Sequence, residues 1–489
     1  MEKRPNPEIV KEKEIFHLLP YERLLSIKEV PERLPAKRPS GLREIMRLTG
    51  VTRTQDIGKK GPSIASLAFE SNTAAPEDLH LYETVFGRDS LRVAIDLLPF
   101  YPELAKATTL ELAKLQGTTY YQEREEEPGR IVHEARDPHD PIAVDLTKRL
   151  GWQWPYYGSV DATPEFVRTL VKYCQLTPEN TTFLQQTYTD KDGREKTMQD
   201  ALGNAIAWIE HRLDSNDEGI LEFKSVLEHG IENQVWKDSW DAYHHADGTI
   251  ANHEKGVSSI EVQVKTFDAL RDAADLYETA LQSPEKAHQL HERAEKMRAT
   301  IMKYFWTEEK GGYFVLGTDR DEAGAVRQLN IRTSNMGHVL YSQLLEGNDP
   351  ENIRKREAVI DHLLSPEMLN VSGVRTLASD EVRFRPGAYH NGSVWLWDTH
   401  YIANGMKRLG YTTHADMLAN RLLHIINVTR AFPEYVSGDD APVPHINHRV
   451  VDILDEIHHR INRVEQPPQE VQAWTVAAIV ATKRQRHPL

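Results

Sequence analysis

Apolar residues recur at three- and four-residue spacing along most of the chain, and this repeated helical pattern constrains the fold more than any other feature. The first such face begins with Leu91, Ala94 and Ile95 and continues through Leu104 and Leu115. A Thr-Pro start signal at 163–164 precedes another, and later ones cover about 197–212, 258–282, 285–305, 335–346, 351–364, 392–409, 412–427 and 468–483. About ten to twelve helices and few strand-like runs predict an all-α fold. Two concentric rings of helices, an α/α toroid, are one arrangement that fits.

The connections between these helices are long and rich in Gly, Trp, Tyr and His, as in GWQWPYYGSVDAT and FRPGAYHNGSVW. Long connections of this composition are typical of binding loops that a rigid scaffold positions. We therefore expect a functional site built from loops on one face of the helical body. Residues 1 to about 60 are rich in proline and charge, which predicts an arm that lies over that body.

Charge and cysteine content exclude several classes of function. Lys and Arg total 59 against 74 Asp and Glu, and a net charge of −15 disfavours nucleic-acid and membrane-surface binding. The single cysteine, Cys174, excludes an internal disulfide and a cysteine-based zinc site, which is typical of a reducing compartment. No stretch approaches the roughly 20 apolar residues of a membrane helix, and no signal-peptide-like run opens the chain. We expect a cytoplasmic protein.

Three aromatic clusters lie in the loops beside Asp, Asn and Arg. They comprise Trp152, Trp154, Tyr156 and Tyr157; Trp236 and Trp240; and Trp395 and Trp397. Flat rings stack on the apolar face of a pyranose, while neighbouring carboxylates and amides bond its hydroxyls. Packing between helices is the alternative for each ring, but three clusters with polar neighbours favour a carbohydrate site.

Two carboxyls stand out as candidate catalytic groups. Asp238 lies between Trp236 and Trp240, where burial would raise its pKa and the adjacent Lys237 would lower it. A partly desolvated Asp is what a general acid requires, although capping of the next turn is an alternative. Glu434 lies between apolar neighbours in FPEYVSG and could activate water, although Pro-Glu is common in ordinary loops.

A third segment, FGRDS at 86–90, ends a loop and opens a helix. Asp89 could cap that helix, with Arg88 in a salt bridge. Alternatively, the two side chains form a pair at a helix end that binds sugar hydroxyls.

Ten motifs in a fixed order resemble the C-terminal glucosidase domain of glycogen-debranching enzymes, the amylo-α-1,6-glucosidase family. More distantly the chain is similar to glucoamylases and to α-glycosidases that act on glucosyl- and mannosyl-glycerate. The motifs are FGRDS at 86–90, EPGRIVHE at 127–134, YYGSVDATP at 156–164, NQVWKDSWDA at 233–242, EVQ at 261–263, SNMGH at 334–338, GVRTLAS at 373–379, YHNGSVW at 389–395, FPEYVSG at 432–438 and QAW at 472–474.

The resemblance implies an all-α (α/α)6 barrel, with an N-terminal arm and barrel-packing segment in 1–80 and the catalytic barrel in 81–489. It implies inverting hydrolysis of a terminal α-linked sugar, with Asp238 as acid, Glu434 as base and no cofactor. Arg88 and Asp89 would grip the sugar in the −1 subsite. Further residues are implied to line the pocket, namely Tyr157, Asp161, Trp236, Arg375, His390, Asn391 and Trp395.

The resemblance favours an α-1,6-glucosidic substrate, but only about 80 residues precede FGRDS, where debranching relatives carry another domain. That leaves a short oligosaccharide or a small glycoside such as glucosylglycerate or mannosylglycerate as the alternative. A sugar isomerase with a histidine base and a non-catalytic sugar-binding barrel are rival classes. No metal site is expected, because HExxH is absent and we expect His244, His245 and His253 to be solvated loop residues.

Overall fold

The computed structural model describes residues 84–446, together with 68–69, 450–455, 460–465, 468 and 471–486. The helices of this part, numbered α1 to α12, are Gly87–Leu97, Pro102–Lys114, Pro141–Leu150, Ala162–Leu176, Met198–Leu213, Ile260–Thr279, Pro284–Tyr304, His338–Tyr341, Pro350–Leu363, Leu396–Arg408, Thr412–Thr429 and Ala473–Arg486. The expected division at residue 80 stays a prediction, because most of residues 1–83 lie outside the described residues.

Six helices form a closed inner ring. In order around the ring, each packing against the next and the last against the first, they are α1, α4, α6, α8, α10 and α12. These helices are buried on nearly all sides, whereas α7 and α11 bury only one face. The outer helices α2, α5, α7 and α11 pack against α1, α4, α6 and α10 respectively. The predicted all-α fold is confirmed, and its form is the (α/α)6 barrel.

Because inner and outer helices alternate along the chain, the inner helices run in the same direction and begin at one end of the barrel. We call that end the mouth. Two-residue strands precede four of these helices, at Val85–Phe86, Ser258–Ser259, Val394–Trp395 and Val471–Gln472. Each pairs with another connecting segment, so the loops at the mouth are tied together by main-chain hydrogen bonds.

Apart from short 3-10 helices, the remaining regular structure of the described residues consists of short strands, each antiparallel to its neighbour. They are β1 (Ala68–Phe69), β3 (Glu134–Ala135), β4 (Thr187–Thr189), β5 (Glu195–Thr197), β7 (Trp306–Thr307), β8 (Tyr313–Phe314), β9 (Gly317–Arg320), β10 (Val326–Leu329), β12 (Tyr435–Val436), β13 (Val450–Asp455) and β14 (Arg460–Glu465); the four mouth strands are β2, β6, β11 and β15 in chain order. β1 pairs with β15, so residues 68–69 lie against the segment that leads into α12.

Two predicted helices differ from those observed. The apolar face from Leu91 to Leu115 is divided between α1 and α2, because Pro102 at the start of α2 disfavours helical backbone at the residue before it. The helix predicted over 335–346 is broken at Ser342, where the backbone is extended. There the Ser342 hydroxyl donates to Asp268 and accepts from the Leu344 amide, and these bonds compete with the helical ladder.

Candidate active site

The predicted site residues from separate parts of the chain meet at the mouth. Arg88 lies in the first turn of α1, Asp161 immediately before α4, and Trp395 immediately before α10. Since the inner helices all begin at this end, residues far apart in sequence converge around the partly accessible Asp238, and we call its surroundings the recess.

Arg88 is the centre of a cluster of carboxylates. Its guanidinium nitrogens lie 3.4 Å from Asp238 Oδ2, 3.6 Å from Asp89 Oδ2 and 3.7 Å from Asp161 Oδ2. Arg88 is buried, and the three acids together raise its pKa against the opposing effect of burial. One cation therefore offsets only part of the charge of three carboxylates, which favours protonation of at least one of them.

Asp238 is the most exposed of these acids, with 34% of its side chain accessible. Burial in the recess nevertheless raises its pKa to about 6; Arg88 lowers it, and Asp89 and Asp161 raise it further. A carboxyl that solvent can reach, and whose pKa burial raises to about 6, has the properties of a general acid.

Lys237 does not have the electrostatic effect on Asp238 that the sequence predicted. Its ammonium group is buried and donates to the carbonyl of Thr376 at 2.6 Å, and burial lowers its pKa to about 8. The cation that lowers the pKa of Asp238 is Arg88, 150 residues away in sequence. Spacing along the chain could not identify it.

The remaining two acids of the cluster differ from each other. Asp161 is fully buried and accepts a hydrogen bond from Ser159 Oγ at 2.7 Å. Asp89 is partly accessible, and burial raises its pKa. It does not cap α1, because Phe86 holds the N-cap position, but it does lie beside Arg88. Binding of sugar hydroxyls by the two side chains stays a prediction.

Glu434 lies in the loop just before β12, which pairs with β11 at the start of α10. It is 4% exposed, and Tyr389 donates a short hydrogen bond to its Oε1. Tyr389 also lies close enough to Arg88 to raise the pKa of that guanidinium. Tyr389 therefore connects the Glu434 loop to the Arg88 cluster.

An aromatic wall surrounds Trp236, two residues before Asp238. The Trp236 ring stacks on His338 at 6.3 Å and meets His390, Trp395 and Trp397 edge-on at 5.4, 5.8 and 4.9 Å. Trp236, Trp395 and Trp397 are buried and pack against one another, which is the packing alternative. Stacking of sugar on these rings stays a prediction.

Two of the predicted pocket residues are used elsewhere. The Tyr157 hydroxyl donates to the carbonyl of Leu115 at 2.7 Å. Arg375 is 1% exposed and donates to the carbonyls of Gly438, Pro366 and Glu367 and to Asp440. The structure does not bring these groups into the Arg88 cluster; Arg375 instead holds the loop that follows Glu434. Their direct contact with sugar stays a prediction that this geometry does not favour.

Several buried polar residues beneath the site were not predicted as part of a glycosidase site. His338 Nε2 lies 2.7 Å from Asp398 Oδ1, and Asn335 donates to Glu261 at 2.7 Å. Tyr389 was likewise missed. All but Asp398 lay within motifs that the sequence comparison had already used, so motif membership was an available signal. The partners of His338 and Asn335, however, lie in the inner helices α10 and α6.

The loop histidines are not solvated as expected. His244 is fully buried, His245 Nε2 lies 2.9 Å from the buried Asp319, and His253 Nε2 lies 2.8 Å from Asn233 Oδ1. They fasten the loop that follows Asp238.

One group in the described residues has metal-ligand spacing, and it lies elsewhere. Asp275, Glu278 and His291 bring one ligand atom each within 4.8 Å of the others, between α6 and α7 on the outside of the barrel. In the part of the chain that the structure describes, no helix is long and apolar enough to cross a membrane.

Comparison with known proteins defines the class and then the family. A family model for a glycoside hydrolase domain matches residues 171–442 of the sequence. This (α/α)6 barrel is therefore a glycoside hydrolase. That domain is the mannosylglycerate hydrolase MGH1-like glycoside hydrolase domain. The match spans more than half of the 489 residues, and the chain belongs to this family. The predicted glycosidase is confirmed at this level, which excludes the isomerase and non-catalytic alternatives.

Solved structures show the same fold. A GH63 mannosylglycerate hydrolase from Thermus thermophilus in complex with Tris is 15% identical, with a TM-score of 0.54 over 84% of this chain and 95% of that chain. The structure of the same enzyme with Tris and D-glycerate, also at 15% sequence identity, has a TM-score of 0.53 and covers 85% of this chain and 97% of that chain. The structure with glucose, again at 15% sequence identity, has a TM-score of 0.52 and covers 81% of this chain and 92% of that chain. No curated protein matches the chain.

Proposed function

We propose that this chain is an inverting glycosidase that removes a terminal α-linked sugar, with Asp238 as general acid and Glu434 as general base. The observation that carries the proposal is the pairing of Asp238 with Arg88 in the recess at the mouth, where its pKa is about 6. At that value a useful fraction of Asp238 is protonated near neutral pH while its ionised form remains accessible.

In this mechanism, protonated Asp238 donates to the glycosidic oxygen as the bond to the anomeric carbon breaks. Glu434 accepts a proton from a water molecule that attacks the opposite face of the sugar. The water oxygen becomes the anomeric hydroxyl, and the configuration inverts. The two carboxyls should lie roughly 6.5–9.5 Å apart to admit the water.

Arg88 and Asp89 would hold the sugar beside Asp238. Asp89 is accessible and bears an acceptor for hydroxyl groups, whereas the buried Asp161 would act by keeping Arg88 in place. No step requires a metal ion or an organic cofactor, because protons and water suffice for glycoside hydrolysis.

For the substrate, we favour a small α-glycoside of a hydroxy acid, such as mannosylglycerate or glucosylglycerate. The family match supports this class, and a structural relative is named for mannosylglycerate hydrolysis. An α-1,6-glucosidic oligosaccharide is the second candidate, supported by the ordered motifs that resemble debranching enzymes. A cytoplasmic location remains a prediction from the cysteine content.

Proton NMR of the reaction with each candidate substrate tests the proposal. The purified protein is incubated separately with mannosylglycerate, glucosylglycerate, isomaltose-type and maltose-type oligosaccharides, beside an Asp238→Asn control. We expect the β-anomer of the released sugar to appear first from one glycerate glycoside, and the control to release it at least about 100-fold more slowly.

The other outcomes are equally informative. Initial release of the α-anomer would mean retention and would reject the roles given to Asp238 and Glu434. Release from isomaltose alone would replace the glycerate glycoside with the second candidate. An Asp238→Asn variant as active as the wild type would remove Asp238 from the mechanism.

A further inference from the structure

We propose that residues 389–391 set the spacing between the two catalytic carboxyls, and that His390 acts in this segment as a positioning residue through its Nδ1 atom. The inference rests on the proposed roles of Asp238 and Glu434. It differs from the expectation that His390 and Asn391 contact the sugar.

The first contact joins His390 to the residue after the acid. The Ser239 amide nitrogen lies 3.3 Å from His390 Nδ1, and Ser239 Oγ lies 2.9 Å from the same atom. A backbone N–H can only donate, so Nδ1 must accept and the ring proton lies on Nε2. Burial, with Lys237 and Arg88, lowers the pKa of His390 well below its ordinary value, which keeps Nδ1 unprotonated.

The second contact comes from the next residue. Asn391 Nδ2 donates to the carbonyl of Asp241 at 2.8 Å. The Asn391 carbonyl in turn accepts from the amide of Arg385 at 2.8 Å, which anchors the segment to its own loop. His390 and Asn391 thus hold the backbone one and three residues after Asp238.

The opposite end of the segment holds the base. Tyr389 donates to Glu434 Oε1, and β11, a few residues further on, pairs with β12 beside Glu434. Tyr389 therefore holds the Glu434 carboxylate, and the next two residues hold the backbone that follows Asp238. Because an error of about 1 Å in such an arrangement costs about 100-fold in rate, a rigid spacer at this point has catalytic value.

Burial separates this role from sugar binding. His390 is 1% and Asn391 2% exposed, against 34% for the Asp238 side chain. The His390 ring stacks on Trp395 at 5.2 Å and packs at right angles to Trp236 at 5.4 Å, so aromatic rings enclose it. Solvent therefore reaches Asp238 directly but hardly reaches the His390 ring.

Three substitutions of His390 test which ring nitrogen matters. Asparagine can place an amide oxygen near the position of Nδ1, glutamine places its amide near Nε2, and leucine provides neither. We expect His390→Leu to lose about 100-fold in kcat with little change in KM, as for a misplaced catalytic group. His390→Asn should recover at least about tenfold of that loss, and His390→Gln should not.

Recovery by glutamine instead of asparagine would overturn the inference, because the function would then depend on Nε2. Equal activity of all three variants, or a rise in KM with kcat unchanged, would also overturn it, the latter by indicating ground-state sugar binding. Thermal unfolding of each variant checks that the barrel is intact.

A second readout does not depend on turnover. Hydrogen exchange of the peptide covering 233–241 should be faster in His390→Leu than in wild type and close to wild type in His390→Asn. If wild-type protein hydrolyses none of the glycosides, the proposed function fails, while the exchange rates still test the contact. Unchanged exchange in the leucine variant would reject the contact even in an active enzyme.

Discussion

At the scale of single residues, the site depends on opposing effects on one carboxyl. Burial raises the pKa of Asp238, the Arg88 guanidinium lowers it, and two neighbouring carboxylates raise it again. The net value of about 6 lies above the ordinary value of 3.8. Because the folded state binds this proton more tightly than the unfolded chain, the contribution of Asp238 to stability is present at low pH. It is lost as the pH rises through about 6.

The raised pKa predicts the pH dependence of catalysis. A general acid works only when protonated, so kcat/KM should fall about tenfold per pH unit once the pH exceeds the pKa of Asp238. Asp89→Asn removes a charge that raises this pKa and should move the decline to lower pH, whatever its effect on the maximum rate. A pH–rate profile of both proteins checks the shift. A decline that stays at the same pH in Asp89→Asn would contradict the electrostatic assignment.

The leaving group provides a second test of Asp238. With a natural glycoside, Asp238→Asn should lower kcat by about 10²–10⁴-fold, the usual contribution of general acid catalysis. With a glycosyl fluoride, which needs little protonation to leave, the loss should be much smaller. Steady-state rates on both substrates give the comparison. Equal losses on the two would indicate that the substitution disturbs the site rather than removing a proton donor.

At the scale of elements, the inner helices contain buried charge that their amphipathic pattern does not reveal. Arg168 of α4 is 2% exposed; its guanidinium lies 3.1 Å from Asp268 and 3.4 Å from Glu165. Burial opposes ionisation of Glu165, but the surrounding cations, with Lys265 the strongest, lower its pKa to about 2. The Arg168–Asp268 pair connects α4 to the neighbouring inner helix α6.

Removing Arg168 should therefore destabilise the barrel strongly. Arg168→Met leaves buried carboxylates without their cation, at a cost of about 3–5 kcal/mol in the free energy of unfolding. Lys172→Met, one turn later in α4, removes a partly exposed cation 3.4 Å from Asp272 and should cost less than about 1 kcal/mol. Denaturant unfolding of both variants measures the difference. Similar losses of stability in the two variants would show that burial does not determine how much these ion pairs contribute to the free energy of unfolding.

At the scale of the whole molecule, closure of the ring depends on close approach of α8 and α10. A Cβ atom added at Gly405 would lie 2.6 Å from the Tyr341 amide nitrogen and 2.7 Å from the Leu340 carbonyl carbon. Both are backbone atoms, so the clash cannot be relieved by a change of rotamer. The short α8 can complete the ring because its neighbour has no side chain at this position.

Gly405→Ala should lower the stability of the protein by about 1–3 kcal/mol, the usual cost of overpacking. Gly203 in the outer helix α5 is a matched control, because nothing lies within 4 Å of a Cβ added there. Gly203→Ala should leave stability unchanged or raise it by up to about 1 kcal/mol, since alanine favours the helix. Thermal unfolding midpoints compare the two. Equal unfolding midpoints for the two variants would show that α8 and α10 can move apart without loss of stability.

Much of this arrangement was predictable from local sequence. Helical periodicity identified the main helices to within a few residues, because an amphipathic face repeats every few positions whatever the tertiary context. The unusual segments around Arg88, Asp238 and Glu434 were also identifiable, because charged residues between large apolar residues are conspicuous in a chain. Net charge and the lone Cys174 limited the class of function.

The tertiary structure alone decided which of these groups meet. The cation at Asp238 is the distant Arg88 and not the adjacent Lys237, and the Ser342 break depends on Asp268 of another helix. Arg375 resembled a sugar ligand in sequence, but its guanidinium donates to the carbonyls of a neighbouring loop, and His390 Nδ1 lies against Ser239. The physical reason is that helix periodicity is encoded locally, whereas burial, charge pairing and access to solvent depend on contacts between residues far apart in the chain.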